Sequence, residues 1–123
     1  MTNKLKPKIK PKMKESDFQK EIIKFITTNG GYVVNHFANK FTKTGVPDLL
    51  ACIDGYFHGI ELKTDIGTET KLQAMHMHDI NAGQGYGYVL RPTKHKKLHY
   101  TNEFEYWQLT VDEWLEDYWN KER

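Results

Sequence analysis

Apolar and polar positions along the chain recur at two periods, and the changes of period mark the predicted elements. Phe18, Ile22, Phe25 and Ile26 fall at helical spacing until Asn29-Gly30-Gly31 stops the run. Ser16-Asp17-Phe18-Gln19 has the form of a capping box, which puts the start of that helix at Ser16. Tyr32-Val33-Val34 opens a strand expected to run through Phe37, and residues 38–46 read as a polar loop. Leu49 to Ile53 is a short continuous apolar run, as a strand covered on both faces would show. Asp54-Gly55 then signals a hairpin, because a type I′ turn needs positive φ at both central residues. Tyr56 to Lys63 is the returning strand, and residues 64–69 form a polar loop containing Gly67. A second helix is expected at about 70–82, started by Thr68 or Thr70, with Thr70-Lys71-Leu72-Gln73 as another capping box. Tyr86 to Leu90 is a strand closed by Pro92, and Phe104 to Leu109 a last strand. Thr110-Val111-Asp112-Glu113 caps a final helix whose Val111, Trp114, Leu115 and Tyr118 share one stripe. The order α-β-β-β-α-β, followed by a small β-α tail, predicts one mixed α/β layer structure.

Composition narrows the picture. The 123 residues suit one domain, and 38% hydrophobic with 28% charged residues excludes a disordered or fibrous chain. No apolar run approaches the ~20 residues that span a bilayer. Cys52 is the sole cysteine, so a Cys-based zinc cluster is excluded and a reducing cytoplasm is the expected location. Charge is uneven. Residues 1–14 carry Lys4, Lys6, Lys8, Lys10, Lys12 and Lys14 and no acid, whereas the rest of the chain holds 12 basic and 16 acidic side chains. The lysine-rich stretch, interrupted by Pro7 and Pro11, reads as a disordered arm: a solubilising tail or a phosphate-contacting one.

The hairpin can be taken further by register. If Asp54 and Gly55 are the two loop residues, Ile53 pairs with Tyr56 and Asp48 falls opposite Glu61, with Lys63 on the same face. A longer turn would shift the pairing and move one acid away. Two carboxylates at ~4 Å repel by about 4 kcal/mol at an effective dielectric of ~20. Lys63, a shared proton or a divalent cation must offset that repulsion. Hard oxygen ligands favour Mg²⁺, which keeps several waters and uses one or two protein carboxylates. A structural acid–lysine pair at a solvated sheet edge is the competing explanation. Asp48 stands at a strand entrance after Val46-Pro47, and Glu61 lies between Ile60 and Leu62, which favours a site.

Gly45-Val46-Pro47-Asp48, then Gly59-Ile60-Glu61-Leu62-Lys63, then Gln73 on a following helix, resembles the virus-type replication-repair nuclease (VRR-NUC) family. That family belongs to the PD-(D/E)xK nuclease superfamily, with archaeal Holliday-junction resolvases and many restriction endonucleases. The resemblance covers about residues 16–91 and leaves out the basic arm and an extra β-α element at about 103–120. It implies a restriction-endonuclease-like core with a mixed central sheet flanked by helices, and a single nuclease domain over residues 15–123. At matching positions it implies that Asp48, Glu61 and the Leu62 backbone carbonyl hold Mg²⁺ or Mn²⁺. Lys63 would orient or help deprotonate the attacking water, or stabilise charge developing on phosphate. Gln73 matches the family's helical glutamine, and Glu21 an acidic position in the first helix that often approaches the site. Glu21 is also notable on spacing alone, since it lies within the apolar stripe between Phe18 and Phe25; a boundary glutamate reaching solvent is the plain alternative.

The expected activity is therefore metal-dependent endonucleolytic hydrolysis of DNA, on branched or structured substrates such as Holliday junctions, in replication, recombination or repair. A homodimer is expected with it, since a junction needs two symmetric cuts and C₂ symmetry supplies two sites. The alternative from another class is a non-catalytic DNA-binding module on the same fold. Lys94, Lys96 and Lys97, in a segment with His95 and His99, read either as a plain solvated turn or as a second candidate phosphate contact. Met75-His76-Met77-His78 reads as a surface or interface cluster, Trp107, Trp114 and Trp119 as core or dimer contacts, and His36 and His58 carry no argument from sequence.

Overall fold

A computed structural model describes residues 6–36, 44–95 and 104–120. Its elements run α1 (Glu15–Thr28), β1 (Tyr32–Asn35), β2 (Leu49–Ile53), β3 (Tyr56–Leu62), α2 (Lys71–Ala82), β4 (Tyr86–Arg91), β5 (Trp107–Thr110) and α3 (Val111–Tyr118). The molecule is α/β, with the expected element order. One five-stranded sheet has the strand order β1-β2-β3-β4-β5. The first three strands are antiparallel, and β4 joins β3 and β5 in parallel. The mixed pattern follows from the connections: a two-residue turn can only return antiparallel, whereas the helical crossover α2 brings β4 back parallel.

The hairpin has the register expected from a two-residue turn. Ile53 pairs with Tyr56 and Leu49 with Ile60, and Asp54 and Gly55 both take positive φ, 59° and 84°. Period-2 alternation then sorts the side chains. Leu49, Ala51, Ile53, Ile60, Leu62, Tyr88 and Leu90 form one core with Phe18, Ile22, Phe25 and Ile26 of α1 and Val111, Trp114 and Leu115 of α3. On this face His58, silent in the sequence, is buried with its Nδ1 2.8 Å from the Tyr88 hydroxyl, which also accepts from Trp114 Nε1 at 2.7 Å. The opposite face of β3 and β4 takes α2. Its approach is close enough that a Cβ on Gly87 would sit 2.6 Å from the Met77 carbonyl.

Several expectations need correction. The N-cap of α1 is Lys14, not Ser16, and it makes no side-chain cap bond. Buried Met13 and Phe18 instead occupy the positions of a hydrophobic staple, which sets the entry two residues earlier than the capping-box pattern implied. Gln19 is released to donate to Asn35 Oδ1 at 2.8 Å. The same burial changes the picture of the basic arm. Residues 6–14 lie against α1 with Met13 7% exposed and Ile9 packed on the core, where a disordered arm was expected; residues 1–5 lie outside the described residues. Only one face of β2 is covered, since Leu50 is half-buried and Cys52 exposed. β5 begins at Trp107 rather than Phe104, and Trp107 is exposed while Trp114 and Trp119 are buried. β1 ends at Asn35; Phe37, His99, Lys96 and Lys97 lie outside the described residues. Among the described residues no helix is long and apolar enough to cross a membrane.

Candidate functional site

Asp48 reaches its place through a tight entrance to β2. Gly45 has φ +85°, and a Cβ there would come within 2.7 Å of the Leu72 side chain, so the Gly45-Val46-Pro47 turn can lie directly against the start of α2. The β1–β2 ladder continues one step, with the His36 amide donating to the Asp48 carbonyl at 2.7 Å. The Asp48 side chain turns to β3, where Oδ2 accepts from the Leu62 amide at 3.0 Å. In an extended strand a residue's N–H and C=O point to the same side, so the Leu62 carbonyl lies on the Asp48 side of β3.

Glu61 stands on the same sheet face and is 2% exposed. Its Oε2 accepts from Gln73 Nε2 at 2.9 Å and lies 3.6 Å from Lys63 Nζ. Its Oε1 is buried with no hydrogen-bond partner among the described residues. Such an orphaned buried oxygen is costly and calls for a ligand or a proton. Gln73 is aimed by its own helix cap: Gln73 Oε1 accepts from the Thr70 amide at 2.9 Å, while the Thr70 hydroxyl accepts from the Gln73 amide at 3.1 Å. Gln73 thus caps α2 through its amide oxygen and reaches Glu61 through its amide nitrogen.

The electrostatics are those of crowded acids. Burial, then the negative charge of Asp48, push the Glu61 carboxyl up to about 9 against the opposing Lys63 charge. Burial also raises Asp48, opposed by the Leu62 amide, a hydrogen bond shared with the Glu61 carboxyl, Lys63 and His36. Glu15 belongs to the same group, raised by desolvation and by the Asp48 charge, with Lys63 opposing. The acid that α1 brings near the site is thus Glu15 in its first turn. Glu21, expected there, instead accepts the Lys8 backbone amide at 2.9 Å on another side of the helix, since six residues of helix rotate the chain by about 240°. Recognising Met13 and Phe18 as a staple would have started α1 at Glu15 and exposed this acid. No comparable sequence signal marks His36, whose position depends on the β1–β2 register.

Asp48, Glu61 and Lys63 are brought together as the hairpin register suggested, and Gln73, which only the resemblance pointed to, joins them through Glu61. Among the described residues, no hydrogen bond or ion pair joins the lysines read as DNA contacts to this cluster. Lys14 caps α1, and Lys6 and Lys8 line a surface pocket with Glu21 and Lys24. The Lys94 amide donates to Asp65, and His95 Nε2 is 2.5 Å from Glu113 Oε1. Lys4 lies with residues 1–5 outside the described residues. His76 Nε2 meets the Thr44 carbonyl and Met77 is core, which disperses the Met-His run.

A divalent cation fits the donor set. Paired carboxylates that hold an unpartnered oxygen and an unwelcome proton are the groups a hard cation would neutralise. Among the described residues no group of three or more His, Cys, Asp or Glu side chains is arranged to hold a metal ion, so such a site would rest on two carboxylates and backbone oxygen. No protein-family model matches the chain, and neither a curated protein nor a solved structure proves detectably similar.

Proposed function

We propose that this chain is a metal-dependent endonuclease hydrolysing phosphodiester bonds in DNA, with a restriction-endonuclease-like core of the virus-type replication-repair kind. The observation that carries the reading is the buried Glu61 carboxyl, set beside Asp48 with one oxygen unpartnered among the described residues and the other held between Lys63 and Gln73. Support also comes from the α-β-β-β-α-β order and from the placement of all four side chains at one end of the β2–β3 hairpin.

Asp48, Glu61 and the Leu62 carbonyl would hold Mg²⁺ or Mn²⁺, which when bound supplies charge for the phosphate and acidity for a coordinated water. The remaining work belongs to the chain. Asp48 is held by the Leu62 amide, so its carboxylate keeps a fixed direction beside Glu61. Gln73 fixes Glu61 through Oε2. Lys63, partly exposed, adds a positive charge beside the phosphate as negative charge develops during in-line attack. Nothing in this cluster reads a base edge, so recognition would rest on DNA shape and backbone. Branched DNA such as a Holliday junction, cut by a homodimer, is the proposed substrate.

The test is cleavage of end-labelled four-way junction, flap, nicked, duplex and single-stranded DNA with Mg²⁺. Cutting that disappears in EDTA supports the reading. Intact binding without cutting of any substrate would replace it by a non-catalytic DNA-binding module.

A further inference from the structure

Arg91, at the end of β4, is 0% exposed, and most of its hydrogen bonds end on chain next to the site. Its Nη1 donates to the Thr64 and Gly67 carbonyls, both at 2.7 Å, and its Nη2 to Glu69 Oε1. Its Nε donates to Gln108 Oε1 of β5 at 2.7 Å. Glu69 is held from its other oxygen by the Tyr106 hydroxyl at 2.6 Å. Three of these four Arg91 bonds fall on residues 64–69, the loop between Lys63 and Thr70. Lys63 is the last residue before the loop, and its amide donates to the carbonyl of Leu90, the neighbour of Arg91. Thr70 is the first residue after it and carries the cap that aims Gln73 at Glu61.

We infer that Arg91 is a positioning residue for the site, clamping the 64–69 loop so that Lys63 and Gln73 both meet Glu61 Oε2. The inference rests on the hydrolytic reading for its kinetic consequence, but the clamp itself is independent of it. Guanidinium geometry explains the residue type. A planar fork with five donors can serve two carbonyls, a carboxylate and an amide oxygen at once, whereas a lysine ammonium cannot span them. Asp65 gives the loop a second tie, accepting from the Thr93 amide at 2.8 Å and the Thr93 hydroxyl at 2.5 Å. Arg91 touches no group expected to meet DNA, so its effect would pass through the loop.

The test compares Arg91→Lys, the pair Arg91→Met with Glu69→Gln, and Leu115→Ala as a core variant on the opposite sheet face. The pair leaves no unmatched buried charge, which keeps a folded variant available. Two properties are read in each: the chemical shifts and exchange of the Gln73 side-chain amide protons, and kcat and KM for metal-dependent DNA cleavage. In both Arg91 variants the Gln73 amide should lose its protected, shifted signals, and kcat should fall about 10²-fold with KM nearly unchanged, as a misplaced constellation does. Leu115→Ala should lower Tm without moving either. Native-like Gln73 signals in a folded Arg91 variant would overturn the inference, as would equal loss in Leu115→Ala or failure of both Arg91 variants to fold. If the native chain cuts no DNA, the nuclease reading falls and the Gln73 signals still decide the clamp.

Discussion

At Glu61 burial and the proposed metal ligation pull in opposite directions. Burial and the Asp48 charge hold a proton on a carboxyl whose ordinary value is 4.5, raising it to about 9, yet a cation ligand must be ionised. Because the folded-state value lies above the unfolded one, the group contributes stability that is complete below about pH 4.5 and lost as pH rises through about 9. The metal-free protein should therefore show a Tm that falls across this window. Glu61→Gln should flatten that fall, and calorimetry in EDTA would read it; an unchanged slope would contradict the assignment. His58 supplies the opposite limb: burial lowers it to about 4 from 6.5, so its contribution is lost as pH falls between those values. For chemistry, Asp48→Ala, Glu61→Ala and Lys63→Ala should each cost at least about 10²-fold in cleavage while near-UV circular dichroism stays native. Normal cleavage by any two of them would remove these residues from the site.

At the scale of elements, α2 ties folding to function through one cap. Thr70 and Thr110 head α2 and α3 with the same reciprocal capping box, so alanine at either should cost about 1 kcal/mol of stability. Only Thr70→Ala should also slow cleavage, because only its partner glutamine reaches Glu61. Equal cleavage by the two variants would show that the cap does not aim Gln73. Both caps were legible in sequence because they need only residues three apart, and the β2–β3 register because Asp54-Gly55 admits one short turn. Ser16 misled for the converse reason: its pattern is as good locally, but burial of Met13 and Phe18 decided the entry. Arg91 was not legible, since it acquires its role from chain far away in sequence, whereas Glu15 was hidden by the Ser16 pattern, which starts α1 too late.

Over the whole molecule, the described part of the basic stretch, residues 6–14, packs through Ile9 and Met13 as well as carrying charge. Deleting residues 1–14 would remove Met13 from the core, at a cost of the order of 2–5 kcal/mol for a fully buried methionine, so weaker DNA binding after deletion would have two causes. Replacing Lys6, Lys8, Lys10 and Lys12 by glutamine separates them. If these lysines neutralise phosphates, the slope of log affinity against log salt should drop by about 0.9 for each phosphate left without its lysine, with Tm little changed. An unchanged slope would give the stretch a structural role alone. The nuclease assignment is tested most directly by incubating four-way junction, flap, nicked, duplex and single-stranded DNA with Mg²⁺, Mn²⁺ or EDTA, using the native chain and Lys63→Ala. The expected result is cutting of branched DNA by the native chain in either metal, none in EDTA, and a loss of at least about 10²-fold in Lys63→Ala. Tight binding with no cutting of any substrate, or cutting that survives both EDTA and loss of the lysine, would contradict it.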